Sequence, residues 1–178
     1  MNSEKRKGYF HIYTGTGKGK STAALGLAMR AVGAGLRVYI GEFIKYQEYS
    51  EISVLRERFP EIKVELFGNE GLCINGRDLN ELDKETAADG FRRSLTAMKS
   101  GEYDLVILDE ICIAVHTGAL TEDEAMQIVS ERPDNVDLVF TGRDATEKMI
   151  SAADIVTDMS EVKHYYTQGI ASRKGIDC

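Results

Sequence analysis

The stretch Thr14-Gly15-Thr16-Gly17-Lys18-Gly19-Lys20-Ser21 decides the fold. Before it, Tyr9-Phe10-His11-Ile12-Tyr13 is aromatic and β-branched, the composition of a short buried strand. After it, Thr22 to Ala34 carries Ala23, Leu25, Leu27, Ala28, Ala31 and Val32 at helical spacing. Strand, glycine-rich turn and helix in that order make a phosphate-binding loop. Gly15, Gly17 and Gly19 permit positive φ and close approach of a ligand. The helix start aims free N–H groups and the positive end of its dipole at one point. Lys20 would add a charge near the terminal phosphates, and the Ser21 hydroxyl could coordinate Mg²⁺. Thr14, Gly15, Thr16, Gly17, Lys18, Gly19, Lys20, Ser21 and Thr22 are thus the candidate nucleotide-binding residues. The pattern G-x-x-x-x-G-K-[ST] is met except at Thr14, which stands at its first glycine.

Beyond the first helix the chain alternates. Arg37 to Ile44 reads as a strand, Glu51 to Phe59 as a helix, and Ile62 to Phe67, with apolar and charged residues in turn, as an edge-like strand. Gly68 to Asn80 is polar and reads as a surface loop. Glu81 to Ser100 predicts a long amphipathic helix with Leu82, Thr86, Phe91, Leu95 and Met98 on or near one face. Leu105 to Leu108 is a continuous apolar run, which suits a strand buried on both faces. Thr121 to Glu131 predicts a helix opened by a capping box, Thr121 with Glu124. Val136 to Phe140, Thr146 to Ala152 and Ile155 to Thr157 read as strand, helix and strand. The expected fold is α/β in three layers, a mostly parallel sheet flanked by helices, of the phosphate-loop, RecA-like kind. Residues 1–178 form one expected domain, with 1–7 a flexible tail.

In such sheets ligands sit at the carboxyl ends of the strands. Asp109 and Glu110 end the apolar run there, as candidate Mg²⁺ ligands opposite Ser21. Glu110 could instead align an attacking water or serve a second substrate. Arg143, in Thr141-Gly142-Arg143, ends the next strand and could meet phosphates. Glu42 and Lys45 end the second strand, within reach of a nucleotide or second substrate or simply solvated. His11, His116 and His164 are read as structural rather than catalytic.

Net charge is −7, which provides no overall basic field for nucleic acid. Cys73, Cys112 and Cys178 are scattered, arguing for a reducing compartment and against a structural zinc site. Met1 to Lys7 is too short and polar for a signal peptide, and no apolar run is long enough to span a membrane. Cytoplasm is the expected location.

Taken together these residues resemble the phosphate-loop ATP:corrinoid adenosyltransferases, from Tyr9 nearly to Cys178. The resemblance rests on Tyr13 to Ala24, Arg30-Ala31-Val32-Gly33, Phe43-Ile44-Lys45 and Leu108-Asp109-Glu110. Arg132-Pro133, Thr141-Gly142-Arg143, Ala153-Asp154, Lys163-His164 and Gly175-Ile176-Asp177 complete it. It implies transfer of the 5′-deoxyadenosyl group of ATP to a Co(I) corrinoid, cobalamin or a precursor, with release of triphosphate. It also implies Mg²⁺ (or Mn²⁺ in its place), a triphosphate held reversed in the loop, a homodimer, and a reductase or flavodoxin as electron donor. Lys18, Lys20 and Glu110 are then the catalytic candidates, and no protein base is needed, because Co(I) is itself a strong nucleophile. The family's Gln-Phe-Ile-Lys-Gly stands here as Glu42-Phe43-Ile44-Lys45-Tyr46, and its Gly-Phe-Thr-Trp loop as Gly71-Leu72-Cys73-Ile74. Only eight residues precede the first strand, where family members often carry an extension that helps cover the corrinoid. An ATPase or kinase using Glu110, and a non-catalytic nucleotide- or corrinoid-binding regulator, remain the alternatives from the residues alone.

Overall fold

The computed structural model describes residues 6–70 and 78–177. Its strands are β1 (Phe10–Thr14), β2 (Val38–Phe43), β3 (Ile62–Phe67), β4 (Leu105–Asp109), β5 (Asp137–Thr141) and β6 (Ile155–Asp158). The helices are α1 (Lys20–Gly33), α2 (Ser50–Arg58), α3 (Glu81–Lys99), α4 (Ile111–His116), α5 (Glu122–Ser130) and α6 (Glu147–Ala152), followed by a 3₁₀ turn at Tyr165–Gln168. The six strands form one sheet in the order β3-β2-β4-β5-β1-β6, and every pairing is parallel. Helices between parallel strands cover the faces, so the inner strands read as apolar runs.

Side-chain alternation divides the core in two. Val106 and Leu108 join Phe10, Ile12, Phe43, Phe67 and Phe140 beneath α3, α4 and α5. Leu105 and Ile107 join Val38, Ile40, Ile62 and Val64 beneath α1 and α2. On α1 the buried stripe is Ala24, Ala28 and Ala31, whose small side chains let the helix lie close to the sheet.

Two local readings are corrected. On α3 the buried positions are Asp83, Ala87, Gly90, Ser94 and Met98, while Leu82 is 56% exposed and Phe91 and Leu95 are half-buried. Gly90 sets that rotation: a Cβ there would lie 2.6 Å from the Phe67 ring, so the small face is the one able to reach the sheet. Arg6, assigned to the flexible tail from sequence, pairs with Asp104 and Asp137 at the starts of β4 and β5. The short helix α4 follows β4 directly and carries no signal of its own in the sequence. Both capping boxes, Asn80 with Asp83 and Thr121 with Glu124, are formed. The Gly71–Ile74 segment lies outside the described residues.

Candidate active site

The glycine loop joins the carboxyl end of β1 to α1. Gly15 (φ 100°) and Gly19 (φ 119°) take left-handed conformations; Gly17 does not. The need for glycine at 15 and 17 comes from the chain itself. A Cβ on Gly15 would stand 2.2 Å from Asp158 Oδ1 and one on Gly17 2.6 Å from Met159 O. The segment leaving β6 packs flat on the loop, with Gly17 N donating to Met159 O at 2.7 Å and Glu161 N to Thr16 Oγ1 at 3.3 Å. The sequence predicts close approach by a ligand; for these two glycines the protein's own chain supplies it, a side-chain oxygen at Gly15 and backbone at Gly17.

Lys20 begins α1 and is buried, its Nζ donating to Gly15 O at 2.8 Å and Gly17 O at 2.7 Å. Burial lowers its pKa, countered by the nearby Glu110 carboxylate. Gly19, the N-cap, contributes no side chain, so the first amides of α1 carry no side-chain cap. The loop from Thr16 through Thr22 lines a cavity of about 610 Å³ with Glu110, Ile113 and Arg143. Its further lining is C-terminal: His164, Tyr165, Tyr166, Ile170, Ser172 and Asp177. Asp177 is among the residues that carry the family resemblance and His164 reads from sequence as structural, whereas Tyr165, Tyr166, Ile170 and Ser172 give no chemical signal there. His164 Nδ1 accepts from Tyr166 N at 3.1 Å, a capping role consistent with that reading.

The acidic strand end splits its two carboxylates. Glu110 lines the cavity, while Asp109 is buried behind it. Asp109 Oδ2 accepts from Lys45 Nζ at 2.6 Å and Oδ1 from Thr141 Oγ1 at 2.6 Å, and that same hydroxyl accepts from Glu110 N at 2.9 Å. Lys45 also donates to buried Glu42 at 2.6 Å, so one ammonium serves two carboxylates. Burial alone would lower the Lys45 pKa; Asp109 and Glu42 outweigh it and raise it. Burial, reinforced by Asp109, pushes Glu42 up to about 8. Burial and the Asp109 charge likewise raise Glu110. Glu42 is therefore buried and Lys45 largely so, and neither lines the cavity. Thr14 and Gly15 also stand behind it, Thr14 Oγ1 accepting from Ala145 N at 3.4 Å.

Among the described residues, three non-glycine residues hold positive φ: Ile44 (68°), Glu110 (59°) and Asp144 (59°). They stand just past the ends of β2, β4 and β5, which are neighbours in the sheet. Backbone strain of this kind collects where side-chain direction matters.

Sheet, loop and acidic strand end define a three-layer α/β protein whose glycine loop and Glu110 meet at one cavity. Similarity in structure agrees: flagellar accessory protein FlaH of Methanocaldococcus jannaschii superposes with a TM-score of 0.59 over 88% of this chain and 73% of that one, at 12% identity. That likeness concerns the fold alone, a parallel sheet flanked by helices. The family model ATP:corrinoid adenosyltransferase BtuR/CobO/CobP matches residues 6–178, and the chain belongs to that family. It is 35% identical to the corrinoid adenosyltransferase of Pseudomonas aeruginosa, covering 96% of this chain and 84% of that protein. With the corrinoid adenosyltransferase of Escherichia coli K12 the identity is 31%, over 98% and 88%. Protein all2391 of Nostoc sp. PCC 7120 is 32% identical, but this chain spans 47% of its length. The family adenosylates corrinoids with ATP. Among the described residues, no helix is long and apolar enough to cross a membrane.

Proposed function

We propose that the protein transfers the 5′-deoxyadenosyl group of ATP to a Co(I) corrinoid and releases inorganic triphosphate. The observation that carries this reading is the pairing, in one cavity, of a triphosphate cradle with an aromatic and apolar wall. The cradle is the amide-rich start of α1 with Lys20; the wall is Tyr165, Tyr166 and Ile170. The electron pair of Co(I) attacks C5′, the C5′–O bond breaks, and its electrons leave with the triphosphate. The protein needs to position the two reactants and stabilise charge on the leaving group, without a base or covalent intermediate. Lys20 and the first amides of α1 take the phosphate oxygens, and Arg143 adds a cation across the cavity. Burial of Lys20 strengthens its pull on an anion, since fewer waters screen it.

The donor set suits Mg²⁺ (or Mn²⁺), which takes few protein ligands beside substrate phosphates and water. Ser21 and Glu110 line the same cavity and would hold it, where it would offset triphosphate charge. Asp109, with both oxygens engaged by Lys45 and Thr141, serves better behind Glu110 than as a direct ligand. A cytoplasmic homodimer supplied with electrons by a reductase or flavodoxin belongs to the same proposal.

The test is anaerobic. The protein is mixed with Mg·ATP and a chemically reduced Co(I) corrinoid, the visible spectrum is followed, and the phosphate product is identified. A light-sensitive adenosyl-cobalt spectrum with triphosphate is expected, and Lys20→Ala should abolish both. Glu110 beside Ser21 is also the arrangement a hydrolase would use to align water. ADP with orthophosphate and an unchanged corrinoid spectrum would establish that second reading instead.

A further inference from the structure

The two lysines of the glycine loop face opposite ways. Lys20 is turned inward, its ammonium held by the loop carbonyls Gly15 O and Gly17 O. The Lys18 side chain is 41% exposed and turned toward the C-terminal segment, where Nζ donates to Ile176 O and lies 3.1 Å from Asp177 Oδ1. Asp177 is a junction. Its Oδ1 also accepts from the Tyr165 hydroxyl, and its Oδ2 accepts from Arg173 N at 3.1 Å and Arg173 Nε at 3.0 Å. The Arg173 guanidinium lies over the Tyr165 ring, 4.8 Å from its centroid, and donates to the Tyr165 hydroxyl at 3.1 Å. Among the described residues, the polar ties from segment 163–177 to the glycine loop are the two that Lys18 makes.

We propose that Lys18 is a positioning residue: it seats the C-terminal segment through Asp177, so that Tyr165 and its neighbours wall the cavity opposite the phosphates. This rests on the reading of the cavity as an ATP site. Phosphate binding then falls to Lys20 and the first amides of α1, whereas Lys18 acts on what lies beyond the phosphates, the nucleoside end. The seat is modest by construction. A partly exposed ion pair contributes little to global stability, so losing it loosens a local segment and leaves the sheet folded.

The experiment compares Lys18→Met, Asp177→Asn, their combination and Lys20→Ala, each with inorganic triphosphate and with ATP by calorimetry. Mass-resolved trypsin cleavage at Arg173 and Lys174 reports the seating directly. Lys18→Met and Asp177→Asn should each weaken ATP about three- to tenfold and speed tail cleavage comparably, with triphosphate affinity held within about twofold. The combination should fall short of the sum of the two single changes, because they share the Lys18–Asp177 contact. Lys18→Arg should restore both ATP affinity and protection from trypsin. Loss of triphosphate binding in Lys18→Met, with Asp177→Asn indistinguishable from the parent, would overturn the proposal and make Lys18 a phosphate ligand. Failure of the cavity reading would look different: Lys20→Ala would keep its triphosphate affinity, while the cleavage data would still report on the Lys18–Asp177 seat.

Discussion

Replacing Glu42 with glutamine should make the protein more stable near pH 8 and change it little at low pH. Glu42 is 1% exposed and shares the Lys45 ammonium with Asp109. Burial, with the Asp109 charge beside it, raises the Glu42 carboxyl from its ordinary 4.5 to about 8. Asp109 goes the other way: burial would raise it, but Lys45 and the Thr141 hydroxyl hold it below the usual carboxylate range. At neutral pH the cluster is therefore a protonated Glu42, an ionised Asp109 and a charged Lys45. The unfolded chain releases the Glu42 proton near 4.5, and the folded protein keeps it until about 8. Between those values the folded state binds more protons, so stability falls as pH rises, and the loss is complete above the folded value. The whole interval corresponds to roughly 5 kcal/mol, less to the extent that the cluster relaxes around the new charge. Glutamine keeps the geometry, with a carbonyl to accept from Lys45 and an amide to donate toward Asp109, and has no proton to lose. Urea-unfolding midpoints of both proteins, taken from about pH 5 to 9, should diverge steadily, with the variant ahead at the alkaline end. Parallel curves would refute the reasoning, and so would a variant that is less stable at high pH.

Lys45→Met leaves Asp109 buried and ionised with no cation, and should cost about 3–5 kcal/mol of unfolding free energy, most of it recovered when combined with Asp109→Asn. Gly17→Ala forces a methyl group against Met159 O, so the thermal midpoint should drop and nucleotide affinity with it; an unchanged midpoint would mean the 158–161 segment does not pack on the loop in solution. Thr121→Ala removes the cap of α5 far from the cavity and should cost about 1 kcal/mol by urea titration, with adenosyl transfer unaltered.

The parts of the fold that sequence revealed are those governed by neighbours along the chain. The glycine loop, the apolar run Leu105 to Leu108 and the Thr121–Glu124 cap each announce themselves within a dozen residues. The face of α3 did not, because Gly90 against Phe67 is a contact between distant segments, and hydrophobic periodicity counts glycine as nothing. The site divides the same way. Lys20, Ser21 and Glu110 follow from a local pattern and do meet in one cavity. Asp109, adjacent to Glu110 and chemically alike, was indistinguishable from it until the fold brought Lys45 and Thr141 to its oxygens. The C-terminal wall was the least legible, since Lys18 and Asp177 lie 159 positions apart and neither carries a periodic signal.

The left-handed residues at the ends of β4 and β5 bear on how this protein could be engineered. Glu110 and Asp144 each hold a conformation that glycine would adopt more cheaply, so a search for hardier variants should enrich substitutions at these two positions. At Glu110 the gain in heat resistance would remove the one carboxylate that β4 presents to the cavity. At Asp144, outside the cavity lining, the same gain should come with turnover intact. Directed evolution for thermal tolerance alone would thus be expected to dull the enzyme at the first position and spare it at the second.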